Sequence, residues 1–159
     1  MSYPQARYLA DTGELSAMFR RRDEPAELPL RGGGSAGYLA TGASTNGQFG
    51  LYEWKMGPKQ GGPDPHFHRT ISESFYILNG TVNLFDGESW VDASAGDFLF
   101  VPEGGIHGFR NLSGEPASML LLFAPGAPRE EYFEGLATLG ELSEAEREEF
   151  FIKHDTYWT

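Results

Sequence analysis

The 159-residue chain contains no cysteine. Disulfides, thiolate nucleophiles, zinc fingers and Cys-ligated iron–sulfur clusters are thereby excluded. Long apolar runs are also missing. The longest, Met119 to Ala124, falls far short of the ~20 residues that a membrane-spanning helix needs. The opening residues Met1-Ser2-Tyr3-Pro4-Gln5-Ala6-Arg7 lack the apolar core of a signal peptide, so a cytoplasmic location and no membrane partner are expected. Positive charge is scarce. Lys and Arg number 12 against 23 Asp and Glu, for a net charge of −11. Such a domain offers no electrostatic footprint to a phosphate backbone, and nucleic acid is not an expected partner. The one basic cluster, Arg20-Arg21-Arg22, is followed by Asp23, Glu24 and Glu27, which cancel its field and mark a solvated face. No G-x-G-x-x-G pattern follows a strand, so no nicotinamide or flavin site is expected.

What is present suits one packed domain. The hydrophobic fraction is 40% and the aromatic fraction 14%, enough for a core at this length. The chain divides into three stretches: an N-terminal extension (1–35), a β domain (36–125) and an acidic C-terminal extension (126–159). The first is charge-balanced, and Asp11 to Arg22 is expected to form a short helix. It ends in Gly32-Gly33-Gly34-Ser35, read as a flexible joint. The second carries short β-like runs, including Tyr38 to Thr41, Phe49 to Met56, Glu73 to Leu78 and Thr81 to Phe85. Asn79-Gly80 and Asp86-Gly87 are hairpin signals, because both residue types tolerate φ > 0. Turns at this spacing indicate an antiparallel sandwich or barrel. Phe98 and Phe100 share one strand face and Leu99 and Val101 the other, a pattern expected of a strand buried on both sides. The third stretch holds nine acidic and three basic residues. Ser143-Glu144-Ala145-Glu146 is a capping box opening a helix to about Ile152, with Ala145, Phe150 and Phe151 as docking residues. Arg129 to Leu136 is a second helical segment.

Three of the four histidines stand in informative places. His66-Phe67-His68 sets two imidazoles on one strand face, where both can reach one metal ion. Glu73 needs a turn within Arg69-Thr70-Ile71-Ser72 to return to that face, which it then shares with Phe75 and Ile77. A carboxylate among such neighbours is costly to bury unless a cation neutralises it. His107 follows Pro102-Glu103-Gly104-Gly105-Ile106. Three imidazoles and one carboxylate suit Fe, Mn, Co, Ni, Cu or Zn and leave coordination positions open. Each residue alone has a plain reading as a loop, turn or strand-edge residue. Their joint occurrence on inward positions carries the argument. His154, in a polar tail after Lys153, is read as a surface or helix-C-terminal residue.

These motifs resemble those of the cupins. His66-x-His68-x4-Glu73-x6-Gly80 corresponds to the first cupin motif, and Gly96-x5-Pro102-x-Gly104-x2-His107-x3-Asn111 to the second. The one departure is Gln60, where the first motif opens with Gly. Gly61 and Gly62 stand beside it, and a one-residue shift accounts for the difference. The resemblance implies an all-β fold, a single-domain cupin double-stranded β-helix or jelly-roll barrel, with short helical extensions at both ends. It implies one divalent transition metal per chain held by His66, His68, Glu73 and His107, with Asn111 bracing the strand that follows. It also implies a small-molecule substrate and a homodimer.

The chain resembles single-domain quercetinase-like cupins in its Gly-Gly-Pro-x-Pro-His-x-His entry and its Glu-x-Phe-Tyr strand. This implies a dioxygenase of a small aromatic or enolisable compound, with Glu73 as the group that takes the substrate proton. Trp54, Phe75, Phe98, Phe100 and Phe109 are the candidate pocket aromatics, with plain core packing as their alternative. The same ligand set serves isomerases, cyclases and lyases that use no oxygen, and a small-molecule binding or sensor cupin is the non-enzymatic alternative. The acidic C-terminal stretch is expected to lid the barrel mouth or to dock on a neighbouring subunit, and the stretch before Gly32 to cross to a partner.

Overall fold

Alternating burial dictates the framework. Strand β3 (Gly50–Met56) turns Tyr52, Trp54 and Met56 inward, and β10 (Ala117–Ala124) turns Met119, Leu121 and Phe123 inward, each at period two. The computed structural model describes all 159 residues. Before β3 come β1 (Leu28–Pro29) and β2 (Ser35–Ala40). Between β3 and β10 lie β4 (His66–Phe67), β5 (Ser72–Asn79), β6 (Thr81–Phe85), β7 (Trp90–Ser94), β8 (Phe98–Val101) and β9 (Gly108–Arg110). One antiparallel sheet has the order β1-β2-β3-β10-β5-β8, and a smaller one the order β7-β6-β9. The two enclose a single apolar core in the jelly-roll manner, with Tyr52, Phe75, Ile77, Val82, Leu84 and Met119 at its centre. Each such buried side chain contributes about 1.5–3 kcal/mol through area removed from water.

The expected hairpin at Asn79-Gly80 is a different device. Strand β5 pairs with β10 and β8 in the large sheet, whereas β6 pairs with β7 and β9 in the small one. The chain changes sheets at Gly80, which has φ +72° and where a Cβ would lie 2.5 Å from the Pro116 carbonyl oxygen. The turn chemistry is as the dipeptide suggests, but tertiary pairing decides which strands it joins. Residues 86–89 do form a hairpin loop between β6 and β7. There the Asp86 amide donates to the Ser89 carbonyl at 3.1 Å, and Asp86 Oδ1 accepts from the Glu88 and Ser89 amides.

Phe98 and Phe100 do not face inward. They pair across from Tyr76 and Ser74 on the outer side of the large sheet and are 63% and 57% exposed. Leu99 and Val101 take the inner side, opposite Phe75 and Glu73. Strand β8 is an edge strand, covered on one face only. Periodicity separates two faces but does not say which is covered.

The expected helix over Asp11 to Arg22 is absent; these residues run without regular structure and are mostly exposed. Leu15, Met18 and Phe19 have helical spacing but stay exposed with no element packed on them, and a short isolated helix is marginal in water. The helical element of the N-terminal stretch is a single 3₁₀ turn at Arg31–Gly33. Arg20 anchors the segment instead, pairing with Glu27 at 2.6 Å while Glu27 accepts from the Tyr38 amide at 2.7 Å.

Beyond the sheets, α1 (Arg129–Gly135) leads into a 3₁₀ turn and then α2 (Glu144–Lys153). The capping box forms as expected: Ser143 Oγ accepts from the Glu146 amide, and Glu146 Oε2 accepts from the Ser143 amide. Phe150 and Phe151 pack against the core, with Phe150 stacked on Tyr132 at 5.7 Å. Ala145 is exposed and does not dock, being on the solvent side of α2. His154 caps α2 but is buried rather than on the surface, beneath Phe150. The last strand, β11 (Tyr157–Trp158), pairs with β4, setting Trp158 opposite His66.

Candidate metal centre

Three elements bring the four candidate ligands together. His66 lies in β4 and His107 just before β9. Their backbones bridge reciprocally, His66 amide to His107 carbonyl and the reverse, both at 2.9 Å. His68 follows β4, and the chain turns at Arg69 to Ile71 so that Glu73 enters β5 on the inner face. The side-chain donor atoms of His66, His68, Glu73 and His107 all lie within 4.8 Å of one another, and all four residues are buried.

Hydrogen bonds define the tautomers. His66 Nδ1 contacts the Asp64 carbonyl at 2.9 Å, His107 Nδ1 the Gly105 carbonyl at 2.9 Å, and His68 Nδ1 the Asp155 carbonyl. A carbonyl only accepts, so each Nδ1 carries the hydrogen and each Nε2 is left as a lone pair. Two of these Nε2 atoms face one carboxylate oxygen: Glu73 Oε2 is 2.8 Å from His107 Nε2 and 3.2 Å from His68 Nε2. Lone pairs so close to a carboxylate repel it unless a positive charge lies between. The buried group therefore fits one metal ion, with neutral imidazoles and an ionised carboxylate as ligands.

Titration follows the same logic. Burial, reinforced by His107, pushes His66 down to about 3, so that ring is neutral and ready to ligate. Burial alone would raise Glu73, but its contacts with His107 and His68, where a proton or cation must lie between Nε2 and the carboxylate, outweigh it and hold the carboxyl far below its ordinary value. Burial works against charge on His107, yet the bond to Glu73 raises its affinity for a proton. A proton on His107 takes the place that a cation fills.

The Cupin domain family matches residues 52–123, which include all four of these side chains. In shape the chain is similar to KdgF from Halomonas sp., with a TM-score of 0.60 at 17% identity over 72% of this chain and 97% of that one. The chain carries a Cupin domain. It is 31% identical over 88 residues to quercetin 2,3-dioxygenase from Bacillus subtilis, a match covering 55% of this chain. It spans only 26% of that relative's length. It is also similar in fold to the polyketide cyclase RemF from Streptomyces resistomycificus, with a TM-score of 0.56 at 22% identity over 74% of this chain and 92% of that one. No helix of this chain is long and apolar enough to cross a membrane.

A cavity of about 560 Å³ opens beside the centre, with His66 and Glu73 in its wall. Trp54 and Phe109 line it, edge to face at 6.0 Å. Phe75 does not line the cavity; it lies wholly buried behind it, against His107 and Phe109. Phe98 and Phe100, on the outer face of the sheet, take no part in it.

Much of the rest of the wall comes from outside the β domain. Leu28 and Leu30 of the N-terminal stretch line it, as do Arg129, Tyr132, Phe133, Phe151 and Trp158 of the C-terminal one. The C-terminal stretch thus closes over its own cavity. Gln60, where the family has Gly, accepts from the Gly57 amide at 2.8 Å, and its carbonyl accepts from the Asn111 amide. The close approach falls at Gly62 instead, where a Cβ would lie 2.0 Å from the Phe109 carbonyl oxygen. Asn111 Nδ2 donates to the Gly57 and Glu115 carbonyls, bracing the segment after His107.

The residues that sequence reasoning missed are Arg129 and Asp155. Asp155 offers its carbonyl to His68, and its carboxylate accepts from the Arg69 amide, the Thr70 amide and the Thr70 hydroxyl. The available signal was the cluster of aromatics in an otherwise charged tail: Tyr132, Phe133, Phe150, Phe151 and Trp158.

Proposed function

We propose that this cupin is a metal-dependent dioxygenase of a small aromatic or enolisable compound. The observation that carries the reading is the tautomer-locked His66, His68, His107 and Glu73 group, of which His66 and Glu73 reach the wall of an aromatic cavity. A bound divalent transition metal supplies Lewis acidity to an ionised substrate oxygen and, if redox-active, one-electron chemistry with dioxygen. The chain supplies the surroundings. Trp54, Phe109 and Phe133 offer flat apolar faces to a planar compound. Glu73, the one carboxylate in the wall, takes the proton of a substrate hydroxyl. Phe151 and Trp158 exclude water from the side of the C-terminal stretch. The likeness to quercetin 2,3-dioxygenase makes flavonols the first compounds to try.

The test combines metal analysis with an oxygen electrode. About one Fe, Mn, Co, Ni, Cu or Zn per chain is expected, lost in His66→Ala and His107→Ala. Oxygen uptake matching substrate loss, absent in both variants, supports dioxygenation. Turnover without oxygen uptake replaces it with isomerase, cyclase or lyase chemistry. Ligand binding without turnover makes the chain a binding cupin.

A further inference from the structure

Arg129 is the first residue of α1 and is buried, yet none of the chain's ion pairs includes it. Its Nη1 donates to the His154 carbonyl at 2.7 Å, and its Nε has no partner. The guanidinium lies among aromatic faces, 4.1 Å from the Tyr132 ring centre, 5.0 Å from Phe123 and 5.6 Å from Phe133. It shares the cavity wall with His66 and Glu73.

A buried cation without an anion is costly, and aromatic faces offset that cost only in part. Burial accordingly works against the charge on Arg129. Glu73, the one carboxylate in the wall, is committed to His68 and His107. Holding the His154 carbonyl uses one of the five N–H donors of the guanidinium. The charge sum points the same way. A divalent ion with Glu73 leaves one positive charge, and Arg129 adds a second in the same apolar space, while Arg31 and Lys59 stand exposed on the rim. The missing partner is an anion that enters with the substrate.

We infer that Arg129 is a substrate-binding residue that receives a carboxylate, so the substrate class is aromatic carboxylates. The inference rests on the reading of this cavity as the substrate site. The planar fork of Arg matches a carboxylate in two parallel hydrogen bonds. Trp54 and Phe133, packed edge to face on each other at 5.0 Å, together form an apolar stretch of wall against which the ring can lie.

The experiment uses the full-length protein as purified. 2-Naphthoate and its neutral analogue 2-naphthamide are titrated into wild type, Arg129→Gln and Arg129→Lys, followed by tryptophan fluorescence. Metal content and melting temperature are measured on the same samples. Wild type is expected to bind the acid at least about ten-fold more tightly than the amide, as for a hydrogen-bonded charge pair. Arg129→Gln is expected to erase the preference and Arg129→Lys to keep part of it. Equal affinities in wild type overturn the assignment without any variant. A preference that persists in Arg129→Gln also overturns it and puts the carboxylate elsewhere in the site. Should Arg129→Gln fail to fold, wild type and Arg129→Lys decide, and an undiminished preference in Arg129→Lys overturns the fork geometry. An Arg129-dependent preference in protein that holds no metal overturns the metal-dependent function and leaves the Arg129 assignment standing.

Discussion

Asp155→Ala tests how the C-terminal segment supports the metal centre. Asp155 sits in the left-handed region at φ +53°. Its carboxylate accepts three hydrogen bonds from the loop that follows His68, and its carbonyl holds His68 Nδ1. Each lost bond costs about 0.5–1.5 kcal/mol, and the half-exposed position favours the lower end. Alanine at positive φ adds roughly 1 kcal/mol. The expected loss is about 3 kcal/mol, or roughly 6–12 °C in melting temperature for a domain of this size. Asp155→Gly removes the carboxylate but not the backbone preference, so it is expected to lose about 1 kcal/mol less. The displaced carbonyl also loosens His68, and metal affinity is expected to fall about 10–100-fold. Urea unfolding followed by tryptophan fluorescence reads the first effect. Competition against a chromophoric chelator reads the second. A stability change under about 0.5 kcal/mol, with metal affinity unaltered, would refute the coupling of the C-terminal segment to His68.

Other expectations are simpler. Chelation of the metal is expected to lower stability by about 2.7 kcal/mol wherever free metal had stood at 100 times its dissociation constant; calorimetry showing no shift would contradict a metal tied to folding. Glu27→Gln removes the negative charge and one of the two acceptor oxygens that serve the Tyr38 amide and Arg20. Burial alone would raise Glu27, but the Tyr38 and Arg20 contacts outweigh it and leave its carboxyl lowered. Its contribution, about 1 kcal/mol or less, is therefore complete above the ordinary carboxylate value and disappears as pH falls through the lowered one. Urea curves for wild type and Glu27→Gln should converge in acid, and a gap constant with pH would contradict this. The exposed Phe98 and Phe100 beside Tyr76 form an apolar strip suited to the dimer that the family resemblance implies. Phe98→Ser with Phe100→Ser is expected to convert a dimer to monomer in sedimentation, and a monomeric wild type would rule the strip out as that interface.

The ligand group was legible because its signal is local. His66-Phe67-His68 needs only a strand to present both rings together, and a turn before Ser72 suffices to bring Glu73 back to their face. Ser143 to Glu146 was legible for the same reason, since the capping box closes within one turn. The helix expected over Asp11 to Arg22 failed because nothing packs against it, and a short helix needs a docked face. Phe98 and Phe100 failed because an apolar strand with two similar faces does not announce which one meets the core.

The sequence by itself determined the β class, the turn positions, the four donor side chains and the acidic, cysteine-free chemistry around them. Those depend on residue type and on spacings of a few positions. Tertiary structure alone decided that β5 and β6 belong to different sheets, that Phe75 stands behind the cavity, and that the tail closes over it. It also decided that Arg129 and Asp155 reach a centre built by residues far away in the chain. The pairing of β11 with β4 sets Trp158 beside His66 across 92 positions. No periodicity encodes such a contact, because it depends on how the core orients the helices that precede it.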